Sequence, residues 1–236
     1  MNKVLVVNTA ITSFNGITSV IMNYVRKTCE VIRYDFVLCG KVEKRFMDEL
    51  KILGDNVFLP PCSRVKKPLT YESWLTKILV ENKYDVIHVH GNSGTMYFEI
   101  HAAKKAGVPV RIAHSHSTSC KFMLAHKILK PLLNRDLTHA LACSDMAGKW
   151  LFTGNYTVLP NGIDVEKFAF SQVVRDEYRK KLGLEDKLVI GHIGYMDTEK
   201  NHIFLLNVFE KLIKEHPEAR LLLIGDGRLR SEIEIF

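Results

Sequence analysis

Two short stretches carry the side chains best suited to chemistry. Asp85-Val-Ile-His-Val-His90 is an apolar run that stops at Gly91-Asn-Ser-Gly94, and Val110–Ala113 runs into His114-Ser-His-Ser117. Imidazole is the side chain whose charge changes nearest neutral pH, so histidines at strand ends are candidates for handling protons or hydroxyls. His88 alternates with His90, and the two are expected to face opposite sides of their strand; His90 lies nearer its end and His88 reads as a core residue. His114 and His116, also two apart, are likewise expected to point apart. One of them is functional, and the residues alone do not decide which. Gly16 precedes the first helix, where a residue without a side chain lets backbone amides approach an anion with the helix dipole behind them.

Other chemistries are disfavoured. The histidines lack a spacing that suggests zinc, and the five cysteines (Cys29, Cys39, Cys62, Cys120, Cys143) contain no Cys-x-x-Cys pair, so no metal is expected. Four of those cysteines sit in or beside apolar segments, as small buried thiols do. Gly225-Asp-Gly227 lacks the third glycine of a dinucleotide fingerprint, because Arg230 stands there. Neither a phosphate-binding Gly-x-x-x-x-Gly-Lys-Ser/Thr loop nor a Gly-x-Ser-x-Gly elbow occurs.

The elements that must position these residues alternate between short Val/Ile/Leu-rich runs and stretches with helical spacing. Such alternation predicts an α/β fold with a doubly wound parallel sheet. Ligands of open parallel sheets bind beyond the strand carboxyl ends. The segments from Asn8 to Gly16, His90 to Gly94, His114 to Ser117, Gly194 to Lys200 and Gly225 to Gly227 all fall there. Seven strands are expected before Val158-Leu-Pro-Asn-Gly162 and two after it. Val158 and Leu159 read as the end of a buried strand, and Asn161-Gly162 as a hinge. The expected domains are therefore residues 1–164 and an incomplete second unit, 165–236. In the latter, Phe204, Leu205, Val208, Phe209, Leu212 and Ile213 form the cleanest helical stripe.

Hydrophobic residues make up 47% and charged residues 25% of the 236, as in a folded domain. No apolar run reaches the roughly 18 residues that would span a bilayer, and a cytoplasmic location is expected. The net charge of +7 is too diffuse to argue for nucleic acid. Its densest cluster, Arg64-Val-Lys-Lys67, reads as a solvated loop or as a contact with anionic lipid at the inner membrane face.

Several motifs occur together in a fixed order: Asn15-Gly-Ile17, Asp85–His90, Ser115-His-Ser117, Leu159-Pro-Asn-Gly-Ile-Asp164 with Phe168, Gly191-His-Ile-Gly194 with Glu199-Lys-Asn201, and Leu222-Leu-Ile-Gly-Asp-Gly227. In this order they resemble the retaining family 4 glycosyltransferases of GT-B fold, especially those that build capsular or exopolysaccharide. The resemblance implies transfer of a sugar from a nucleotide sugar, UDP- or GDP-linked, to a hydroxyl of a glycan or lipid-linked acceptor, with no cofactor or metal. Residues 1–164 would hold the acceptor and 165–236 the donor, with a homo-oligomer left open. Asn15 and Gly16 would touch donor phosphate or sugar, as would Gly194, Tyr195, Gly225, Asp226 and Gly227. His116, favoured over His114, would lie near the reacting sugar, Lys200 would bind the diphosphate, and His90 and Asn92 would stand on the acceptor side.

Two departures go with the resemblance. Tyr195 stands where the family commonly has arginine, and the family's later Glu-x7-Glu segment has no counterpart before Phe236, so this chain is expected to bind donor poorly. The rival readings are a non-catalytic glycan- or lipid-binding homologue and a sugar-nucleotide epimerase of similar fold.

Overall fold

The computed structural model describes residues 1–9, 16–40, 42 and 44–235, with the side chain of Arg45 excepted. The chain falls into two compact units, Met1–Asp164 and Val165–Phe236.

Unit 1 is a sheet covered on both faces. Its strands are β1 (Asn2–Asn8), β2 (Ile32–Leu38), β3 (Asn56–Phe58), β4 (Val86–Gly91), β5 (Val110–Ser115), β6 (His139–Ala142) and β7 (Thr157–Val158). They lie in the order β3-β2-β1-β4-β5-β6-β7, and every neighbouring pair is parallel. Successive side chains alternate between faces. Val4 and Val6 of β1 therefore pack with Ile21, Met22 and Val25 of α1 (Gly16–Thr28) and Phe46 and Leu50 of α2 (Lys44–Leu53). Leu5 and Val7 enter the opposite core with α3 (Pro68–Asn82), α4 (Tyr97–Lys105), α5 (Met123–Asp136) and α6 (Asp145–Leu151). Double coverage explains why the strands read as unbroken apolar runs. Ser144 caps α6, its hydroxyl accepting from the Ala147 amide at 3.2 Å.

Three expectations are corrected in unit 1. Strand β7 lies at the sheet edge and Val158 is 42% exposed, because no further described strand covers that side. All five cysteines are free but only half-buried. The Arg64–Lys67 cluster is not a uniformly solvated basic loop. Lys66 and Lys67 are exposed, whereas Arg64 folds inward as a two-pronged partner of the fully buried Glu99, at 2.5 and 3.1 Å, and also donates to the Thr95 carbonyl at 2.9 Å. Burial disfavours the charged guanidinium, but the Glu99 carboxylate beside it outweighs that and raises the Arg64 pKa.

Unit 2 contains α7 (Gln172–Lys181), β8 (Leu188–Ile193), α8 (His202–Glu215), β9 (Ala219–Ile224) and α9 (Arg230–Ile235), with β8 and β9 paired in parallel. The stripe on α8 is helical as expected. Its Phe204, Val208 and Ile213 nevertheless stay exposed, since two described strands give too narrow a sheet to cover them.

Among the described residues no helix is long and apolar enough to cross a membrane. One consequence of the Arg64–Glu99 pair is measurable. Arg64→Met should cost about 3–5 kcal/mol, because it strands a buried carboxylate. Denaturant titration of parent and variant reads that loss, and a difference below about 1 kcal/mol would contradict the buried pairing.

Candidate active site

The strand order reverses direction between β1 and β4, which places a crevice beyond their carboxyl ends. Hydrogen bonds knit these ends together. Thr9 donates its amide and its hydroxyl to the His90 carbonyl at 3.1 and 2.9 Å, and the His116 amide donates to the Gly91 carbonyl at 3.0 Å. A Cβ at Gly91 would fall 2.4 Å from the Thr9 hydroxyl and 2.9 Å from the Met96 sulfur, so both side chains would have to shift to admit a larger residue. Gly16 opens α1, and a Cβ there would meet nothing within 4 Å among the described residues. Asn15 lies outside the described residues.

Four histidines gather on the α1 side of β4 and β5. This overturns the expectation of opposite faces: residues two apart in a strand share a face. His88 Nε2 meets His114 Nδ1 at 3.3 Å, with ring planes 3° apart and centroids at 5.4 Å. His90 Nδ1 meets His116 Nε2 at 2.9 Å, with centroids at 5.2 Å. These two pairs lie over one another, with His88–His90 centroids at 4.0 Å and His114–His116 at 4.2 Å. His114 Nε2, His116 Nδ1 and the Ser115 hydroxyl are buried without a partner among the described residues. Burial disfavours the charged ring throughout, lowering the pKa of His88 to about 3, of His114 to about 4 and of His116 to about 3, and that of His90 well below its ordinary value. The quartet is neutral at physiological pH. It offers hydrogen bonds rather than charge.

The sequence spacing of the histidines does not suggest a metal site, yet the fold brings three of them together. His88, His90 and His114 each present a ring nitrogen within 4.8 Å of the others, a donor set that could take a divalent transition metal. As described, His88 and His114 are engaged with each other instead, and His90 with His116.

The Asn92 carbonyl accepts from the Trp150 indole at 2.8 Å, and His126, which the sequence reading missed, accepts the Gly94 amide at 3.0 Å while stacking on Trp150 at 4.5 Å. The only sequence signal for His126 is its place near the start of a helix that follows a strand-end loop. The Asn161-Gly162 turn is fastened to α1. Tyr24 donates its hydroxyl to the Pro160 carbonyl at 3.1 Å, and the Asn23 amide nitrogen donates to the Gly162 carbonyl at 2.9 Å.

In unit 2 the loops after β8 and β9 lie against each other. Gly225 has φ +155°, and a Cβ there would fall 1.9 Å from the Gly194 carbonyl oxygen; one at Gly227 would fall 2.4–2.8 Å from the Met196 backbone. These two glycines are thus accounted for by backbone approach. Asp226 accepts the Met196 amide through its carbonyl at 2.9 Å and the Gly227 amide through Oδ1 at 2.8 Å. Lys200 is exposed, its stem passes over Gly194, and it pairs with no carboxylate among the described residues. Tyr195 is 61% exposed. Asp197, held by Arg228, fixes the turn before Lys200 by accepting the Thr198 amide at 2.6 Å, a support the sequence reading did not find.

A doubly wound parallel sheet with its polar groups at the strand carboxyl ends, followed by a second β-α-β unit, is the architecture of GT-B proteins. The chain belongs to glycosyltransferase family 4, whose model matches residues 15–167. It is 32% identical over 234 residues to a protein named as glycosyltransferase EpsF from Bacillus subtilis, covering 93% of this chain and 61% of that protein. It is 29% identical over 176 residues to the Escherichia coli UDP-Gal:alpha-D-GlcNAc-diphosphoundecaprenol alpha-1,3-galactosyltransferase, covering 68% and 45%. The chain thus spans less than two thirds of these curated relatives. Among solved structures, Anabaena Alr3699/HepE in complex with UDP matches with a TM-score of 0.78 at 17% identity, over 99% of this chain and 63% of that one. The UDP-GlcNAc 2-epimerase of Neisseria meningitidis matches at 0.61 and 15%, over 94% and 65%.

The buried quartet makes stability depend on pH. An unfolded chain protonates its histidines below about 6.5, whereas the folded chain leaves them neutral down to about 4 for His114 and about 3 for His88 and His116. Stability should therefore fall as the pH drops from 6.5 towards 4, by about 1.4 kcal/mol per pH unit for each fully buried ring. The unfolding midpoint measured from pH 7 to pH 5 should decline, and less steeply in His88→Gln. Equal slopes in parent and variant would contradict a neutral buried His88.

Proposed function

We propose that this chain carries the acceptor-side unit, 1–164, and the beginning of the nucleotide-sugar unit, 165–236, of a retaining glycosyltransferase. The enzyme moves a sugar from a UDP- or GDP-linked donor to a hydroxyl of a glycan or lipid-linked acceptor in surface polysaccharide assembly, on the cytoplasmic side of the membrane and without a further cofactor. The observation that carries this reading is the histidine quartet at the strand-reversal crevice of a family 4 chain. The Escherichia coli relative, whose name specifies a diphosphoundecaprenol-linked substrate, supports a lipid-linked acceptor.

The division of labour follows from electrostatics. A neutral imidazole exchanges a hydrogen bond with a hydroxyl but cannot offset negative charge. His116, with His114 beside it, therefore contacts the transferred sugar, and His90 and Asn92 lie on the acceptor side. The leaving diphosphate gains charge as the glycosidic bond breaks, and a fixed cation lowers that barrier. Lys200 takes this role, because no carboxylate competes for it among the described residues. Tyr195 adds a hydroxyl donor where the family commonly has arginine, and Asn15, Gly16 and Gly194 contact the donor phosphate or sugar.

Full-length protein incubated with labelled UDP- and GDP-sugars and membrane-extracted acceptor should yield a glycosylated product of unchanged anomeric configuration, read by NMR. Hydrolysis or epimerisation of the donor without transfer would refute the proposal. Lys200→Ala should lower turnover by about 10²-fold, comparable to removing one oxyanion donor. Turnover within about twofold of the parent would remove Lys200 from the diphosphate site.

A further inference from the structure

Helix α5 is polarised the wrong way round for a helix that only covers a core. Its inward face carries His126, Leu133 and Asp136, all buried. Outward it shows Leu124, 74% exposed, and Ile128, 61% exposed, preceded by the exposed Phe122 and Met123. Leu124, Ile128, Pro131 and Arg135 follow the helical repeat, so they form one stripe along the outside.

The segment that carries this stripe is basic. Between Glu99 and Asp136 the sequence has no carboxylate side chain but seven cations: Lys104, Lys105, Arg111, Lys121, Lys127, Lys130 and Arg135. Lys104 and Arg135 bind Asp136 and Lys105 binds Glu72, whereas Lys121, Lys127 and Lys130 pair with no carboxylate among the described residues. Beside the stripe a groove of about 380 Å³ lies between α5 and α6, lined by Met123, Lys127, Lys130, Lys149 and Trp150 among others.

Apolar side chains interleaved with lysines fit a lipid surface better than a protein. Lysine is depleted in protein–protein interface cores, where its ammonium would have to be desolvated. At a bilayer its stem lies along acyl chains while its head reaches the phosphates.

We propose that the outward face of α5, with the groove it shares with α6, docks unit 1 onto an anionic bilayer. Phe122, Leu124 and Ile128 enter the headgroup–acyl boundary, and Lys121 and Lys127 contact the lipid phosphates. His126 of this helix accepts the Gly94 amide at 3.0 Å, so docking ties the loop that follows His90 to the surface where a lipid-linked acceptor is presented. That use of the surface rests on the transferase reading; the docking itself does not. It also moves the lipid contact away from the Arg64–Lys67 loop, whose arginine is committed to Glu99.

Co-sedimentation of the chain with vesicles of phosphatidylcholine alone, and with a third phosphatidylglycerol, tests this. The chain should sediment with the anionic vesicles and be released by salt. Leu124→Ser with Ile128→Ser, and separately Lys121→Glu with Lys127→Glu, should each weaken binding about tenfold or more. Lys66→Glu with Lys67→Glu should change nothing. All these positions are exposed, and circular dichroism verifies that each variant folds. Absence of binding to anionic vesicles, or undiminished binding by both α5 variants, overturns the proposal, as does a dimer that the Leu124→Ser/Ile128→Ser variant abolishes. Transfer by detergent-dispersed full-length enzyme to a soluble acceptor reads the transferase proposal separately, so either can fail alone.

Discussion

Everything in unit 1 depends on a parallel sheet whose two faces are both buried. In such a sheet every strand residue has a fixed side, and only the last residues of each strand escape the core. Along β1 the apolar pairs Val4 and Val6, and Leu5 and Val7, divide cleanly between two cores, after which the strand ends in the buried polar Asn8. Strands β4 and β5 obey the same rule, and there the polar residues are histidines. Register then does the rest: His90 sits beside Asn8 on one flank and His114 on the other. The site consists of the polar residues that end these apolar strands.

Burial also limits what the site can do. Four imidazoles packed this closely would repel one another if charged, and the low-dielectric surroundings make charging costlier still. Pairwise N–H···N bonds satisfy one nitrogen of each ring and restrict which tautomers can coexist. A cation is found instead in unit 2, where the exposed ammonium of Lys200 follows a turn that Asp197 stabilises and its stem passes over Gly194.

Much of the fold was legible because apolar runs broken by glycine, proline or serine leave few alternatives. The seven strands before Pro160, the cap at Ser144 and the α8 periodicity could all be read from residue types. Most of what failed depended on neighbours distant in sequence. His88 and His90 were assigned to opposite faces by a slip in the strand period, and their meeting with His114 and His116 required the β4–β5 register. Arg64 looked like one of three surface cations because its partner lies 35 residues away on another helix. Val158 looked buried because a short apolar strand end does not reveal whether it is central or at an edge. In the candidate site, residue types pointed to the strand-end loops, while His126 and Asp197 left little local trace.

The fastening of Pro160 and Gly162 to Tyr24 and Asn23 has a mechanical consequence. The helix that supplies both donors also begins at Gly16, where an anion would meet its amino end. The chain leaving unit 1 is therefore geared to the helix that opens the crevice. Any rotation of α1 must carry the exit turn along or give up two hydrogen bonds, each a matter of about 1 kcal/mol. Occupancy at one end of a single helix can in this way be felt at the point where the polypeptide departs.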